Sequence, residues 1–129
     1  MLINVTNRPH TTWGSDQLEA AGAYGEIVDF PMPGLAPDAP DEESDRIAEL
    51  VVRRVLRRLR ENREDAPDVR DAVVCQGEFV LVFRIVTILK AEGITVLAPA
   101  FERVTKPTLR PDGTTVPGYS FEFVRFRSY

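Results

Sequence analysis

Histidine, cysteine and tryptophan occur once each among the 129 residues, as His10, Cys75 and Trp13. A single cysteine excludes an internal disulfide, and with a single histidine it excludes a zinc centre of thiolates and imidazoles. There is no Asp-x-Asp cluster to suggest a carboxylate magnesium site, so neither metal nor cofactor is expected. No apolar run approaches 18 residues without a charge, which excludes a transmembrane helix. Positive charge is not in excess: 16 Lys and Arg stand against 20 Asp and Glu, for a net charge of −4. Long nucleic acid is therefore not an expected partner, although a small anion can still be bound locally by a few arginines. Met1–Val5 is too short and unflanked for a signal peptide, and a cytoplasmic location is the expectation.

What is present alternates strand and helix. Leu2, Ile3 and Val5 predict a first strand, followed by the polar loop Arg8–Gly14. Ser15 is a suitable N-cap for a helix from Asp16 to about Tyr24, stopped by Gly25. Its apolar face is narrow, with Leu18 and Ala21 at its centre. Glu26–Phe30 reads as a second strand, and Pro31, Pro33, Pro37 and Pro40 then hold an extended loop. Asp41 to about Arg63 is the longest helix, with Ile47, Leu50, Val51, Val55 and Leu59 as its buried stripe. Acidic residues crowd its start and arginines its end, as the helix dipole favours. The arginine run is either that solvated face or a nucleic-acid patch.

Ala72–Cys75 predicts a buried strand, Gln76-Gly77-Glu78 a tight turn, and Phe79 onward an apolar helix ending at Gly93. That helix is apolar nearly all round, which points to a homodimer through one of its faces. Ile94–Ala98 is a fourth strand running on to Val104. Pro111-Asp-Gly113 marks a turn, and Tyr119–Arg127 alternates apolar with polar at period two, with one slip at Val124. The sum is one α/β domain over residues 1–129, Rossmann-like, with a mostly parallel sheet and a C-terminal antiparallel β-hairpin.

In an open α/β sheet, ligands bind at the carboxyl ends of the strands. Gly77 lets backbone approach a ligand there, and the helix after it offers free N–H groups to an anion. The alternative is a turn that uses glycine for geometry alone.

Asn7, Pro9, Trp13, Gln17 and Tyr24-Gly-Glu-Ile27, with Gly77-Glu78, Glu102-Arg103 and Phe123-Val-Arg-Phe-Arg127, resemble a family of small stand-alone proteins of CRISPR loci. These are related to CARF (CRISPR-associated Rossmann fold) domains and include proposed ring nucleases. Two positions depart from that pattern: Arg8 stands in place of its histidine, and His10 in place of its serine. The resemblance implies a CARF-like domain that binds cyclic oligoadenylate, the second messenger of type III CRISPR defence, most simply cyclic tetra-adenylate. Some relatives cut the ring without metal, by attack of a ribose 2′-OH on its own phosphate. A non-catalytic sponge, or a module that binds a protein partner, is the alternative.

With strand order 2-1-3-4, the Asn7–Trp13 loop and the Gln76–Phe79 turn share one crevice. The candidate catalytic residues are His10, Arg8 and Glu78; the candidate ligand-binding residues are Asn7, Arg8, Trp13, Gln76, Gly77, Phe79 and Arg103. Asn7 can read a base edge or hold a phosphate, or else close an Asx turn. Arg8 suits a phosphate or a surface ion pair. His10 is of the residue type that exchanges protons near neutrality. Trp13 can stack on adenine or staple its loop to the core. Glu78 can favour the helix N-terminus or act as a base, and Arg103 can reach a phosphate.

Overall fold

The computed structural model describes residues 1–129. Four parallel strands build the body of the sheet: β1 (Leu2–Val5), β2 (Ile27–Asp29), β3 (Ala72–Cys75) and the start of β4 (Val96–Thr105). A long edge strand, β7 (Tyr119–Ser128), runs antiparallel to β4, giving the order β2-β1-β3-β4-β7. A separate short ribbon pairs β5 (Thr108–Leu109) with β6 (Thr115–Val116). The helices are α1 (Ser15–Gly22), α2 (Asp41–Asp65) and α3 (Phe79–Ala91). This is the expected Rossmann-like α/β domain with a mostly parallel sheet, and no helix is long and apolar enough to cross a membrane.

Strand alternation divides the core into two layers. Ile3, Val5, Val73, Cys75 and Val96 join the larger cluster with residues of α2 and α3. Leu2, Ala72, Val74 and Leu97 join the smaller one with Trp13 and Ala21. Strands β1 and β3 are buried throughout, so they read as continuous apolar runs.

Three local expectations change. Ser15 is the first residue of α1; Gly14 holds the cap position and makes no side-chain bond. On α1 the buried residues are Gln17 and Ala21, while Leu18 is exposed. On α2 the buried stripe is Ser44, Ala48, Val51, Val52, Val55 and Leu59, and Leu50 is 48% exposed. The small Ser44 and Ala48 take core-facing positions on α2, and Leu50 lies on the face turned away. Several of the α2 arginines have local partners: Arg54 lies 4.0 Å from the centre of the Phe30 ring, Arg58 3.8 Å from Glu26 and Arg63 3.1 Å from Asp71.

The slip at Val124 is a β-bulge. Ala100 pairs with Arg125 but Phe101 pairs with Phe123, leaving Val124 as the extra residue. Phe123 and Phe126, three apart in sequence, thereby meet with ring centres 4.9 Å apart. Phe126 continues to Trp13 at 6.1 Å and Phe123 to Phe101 at 6.0 Å. This aromatic row ties the edge strand to the β1–α1 loop.

Candidate functional site

Strands β1 and β2 deliver polar residues to the carboxyl edge of the sheet, and Gln76 follows the end of β3. Asn4 of β1 is buried among apolar neighbours and pairs in register with Asp29, the last residue of β2. Its amide donates to the Asp29 carboxylate at 2.7 Å and to the Arg8 carbonyl at 2.8 Å. Thr6 donates to the Asn4 side-chain oxygen at 2.9 Å, and the Arg8 N–H donates to the Thr6 hydroxyl at 3.1 Å. The Trp13 indole N–H donates to the same Arg8 carbonyl at 3.2 Å. These bonds fix the loop from Asn7 to Trp13, which turns through one 3-10 helix at His10–Thr12.

The loop places His10 on Asp29. Its Nδ1 lies 2.8 Å from one carboxylate oxygen, and its backbone N–H donates to the other at 3.1 Å. Burial pushes the Asp29 carboxyl up, but the Asn4 amide and the backbone and ring of His10 outweigh it and hold it below the usual value of 3.8. Asp29 is therefore ionised at neutral pH and keeps the proton of a neutral imidazole on Nδ1. The outer Nε2 is left as an acceptor on a ring that is 34% exposed. A histidine so oriented can take a proton from a hydroxyl.

Arg8 projects to the other side of the crevice, with its guanidinium 5.8 Å from the centre of the Phe101 ring. It lines a cleft of about 230 Å³ between the start of α1 and the β4–β7 edge. Below that is a small pit that Arg8 shares with Thr6, Gln17 and Gln76. Arg8 and Gln76 thus face one crevice, as the strand order requires. Asn7 lies exposed at the head of the same loop.

Five expected site residues lie outside the crevice or take the structural alternative. Trp13 is 7% exposed, with its N–H bonded, so it staples the loop and offers no free face to a base. The Glu78 carboxylate accepts the Leu81 N–H at 2.8 Å and caps α3, which removes it as a free base and puts negative charge at that helix end. At Gly77 an added Cβ would meet Met32 Cγ at 2.8 Å, so the glycine admits Met32 rather than a ligand. Arg103, on β4, lies 3.9 Å from the centre of the Tyr119 ring and lines neither the cleft nor the pit. Phe79 is 90% exposed and belongs to an apolar surface of α3, which borders a hollow of about 540 Å³ with Phe83, Val86 and Tyr129.

Sequence reasoning missed Asn4 and Asp29, and took Gln17 only as part of the family pattern without a role in the site. A signal for the first two was there: one polar residue inside Leu-Ile-Asn-Val and one closing Ile-Val-Asp. No three His, Cys, Asp or Glu side chains are grouped so as to hold a metal ion.

No curated protein and no solved structure matches the chain. A family model does match, over residues 1–127, and by it the chain belongs to the family described as Uncharacterized protein MJ1673 family.

Proposed function

We propose that the protein binds a cyclic oligoadenylate of type III CRISPR defence, cyclic tetra-adenylate first among them, and cleaves it without metal as a two-fold homodimer in the cytoplasm. The observation that carries this reading is the Asp29-oriented His10, presented at the carboxyl edge of a Rossmann-like sheet. The resemblance of the Asn7–Gln17 segment to proposed ring nucleases supplies the ligand class.

The chemistry is balanced by the ring itself. His10 Nε2 takes the proton of a ribose 2′-OH, and the 2′ oxygen attacks the adjacent phosphorus. The bond to the 5′ oxygen breaks, that oxygen gains a proton from water, the imidazolium returns its proton to the hydroxide left behind, and a 2′,3′-cyclic phosphate remains. Asp29 stabilises the imidazolium that forms. Arg8, with Asn7 and Gln76, holds the non-bridging oxygens; in-line positioning and charge stabilisation supply most of the rate. The apolar surface of α3 joins the two copies, so that the ring meets the same loops twice.

The reading is tested by the affinity for cyclic tetra-adenylate in EDTA. Arg8→Ala should weaken binding by about 1.5–3 kcal/mol, the value of a charge-assisted hydrogen bond. Arg103→Ala, whose guanidinium already rests on Tyr119, is the control and should bind like the parent. Parent-like binding by Arg8→Ala would place the ligand elsewhere, and binding without cutting would make the protein a sponge.

A further inference from the structure

We infer that the cleft between α1 and the β4–β7 edge is a nucleobase subsite in which Gln17 reads an adenine edge. The inference rests on the cyclic-oligoadenylate reading and assigns the part of the ligand that the His10–Asp29 pair does not touch.

Four polar residues are buried in this chain: Asn4, Thr6, Gln17 and Ser44. Asn4, Thr6 and Ser44 all have protein partners. Gln17, only 3% exposed, has none, and it lines both the cleft and the pit beneath it. Ser120 Oγ is the one unpartnered side-chain atom sealed from solvent, so the Gln17 amide is still reached from the opening and is suited to a ligand. Its oxygen and NH2 can pair with the N6 amine and N7 of adenine together.

The walls fit a flat, neutral group. Phe101, Phe121 and Phe123 line one side, and Phe121 is 66% exposed although it serves no core. The charges nearly cancel: Arg8 and Asp16 both line the cleft, and Glu122 is already paired with Lys106 at 3.0 Å. Arg8 at the mouth can keep its phosphate, while the aromatic wall offers a base stacking. The volume of about 230 Å³ is below that of sites for drug-sized ligands and suits one base.

The test uses adenosine, which carries no phosphate, titrated into the intact protein and followed by ¹H–¹⁵N spectra, with cytidine for comparison. Adenosine should shift resonances around Gln17 and Phe121. Gln17→Leu and Phe121→Ala should each weaken it by roughly ten-fold; Phe121, being exposed, can be replaced without disturbing the fold. Unchanged adenosine binding in both variants, absence of shifts at millimolar adenosine, or an equal response to cytidine would overturn the assignment, whatever happens with the ring. Adenosine binding in the cleft without any binding of cyclic tetra-adenylate would sustain the subsite and overturn the ring reading.

Discussion

His10 Nδ1 lies 2.8 Å from a carboxylate oxygen of Asp29, a residue 19 positions further along the chain. The pair exists because β1 and β2 run parallel and end level, so that the loop leaving one strand folds onto the last residue of the other. Asp29 also accepts the Asn4 amide, so the dyad is anchored in the buried body of the sheet.

If the two residues act as one unit, their effects on cutting should not add. His10→Ala is expected to slow cleavage of cyclic tetra-adenylate by no more than roughly 10²- to 10³-fold. Asp29→Asn can donate to Nδ1 and force the ring proton onto Nε2, so it should fall in the same range. The double variant should be no slower than the worse single one. Single-turnover rates check this; fully additive losses would separate the residues.

Gly77 and Met32 should be coupled in stability. A methyl group at position 77 would come within 2.8 Å of Met32 Cγ, which must then move. Gly77→Ala is expected to cost about 1–3 kcal/mol, as overpacking does. In a Met32→Ala background the same change should cost measurably less. Urea titrations of the four proteins give the coupling energy; equal costs in both backgrounds would remove the packing explanation.

Burial pushes the Cys75 thiol up to about 12 from an ordinary 9.0. The folded chain holds that proton more tightly than the unfolded one. Its contribution to stability is therefore complete below about pH 9 and is lost as the pH rises toward 12. The thiolate is the reactive form, so an aromatic disulfide reagent should label Cys75 at neutral pH only as fast as the protein unfolds. Rapid labelling of the folded protein would contradict this burial.

The exposed Phe79 and Phe83 lie at the start and middle of α3, where they are 90% and 71% exposed. Sedimentation at micromolar concentration should report a dimer, and Phe83→Glu should convert it to a folded monomer. A monomeric parent protein would remove the two-fold arrangement.

Most of the fold was legible because each segment announced its own period. The buried run Ala72–Cys75, the turn at Gln76–Glu78 and the slip at Val124 all appear where local pattern puts them. The site was legible in part. The loop that carries Arg8 and His10 stood out as polar residues after an apolar strand, but the role of each depends on distant partners. Asp29 acquires its meaning only from the register of β1 on β2, and Gly77 only from a methionine 45 positions earlier. Glu78 looked available because sequence does not reveal that its carboxylate turns back to the Leu81 N–H. Leu50 was misplaced because the small residues Ser44 and Ala48 take the core-facing positions on α2.

We propose metal-independent cutting by a histidine that Asp29 holds in place. Its most direct test incubates the protein with cyclic tetra-adenylate in EDTA and resolves the products by mass. The expected products are linear adenylates ending in 2′,3′-cyclic phosphate, formed at a rate that EDTA does not change and that Asp29→Asn lowers. An intact ring after prolonged incubation with saturating protein, or cutting that EDTA abolishes, would contradict the proposal.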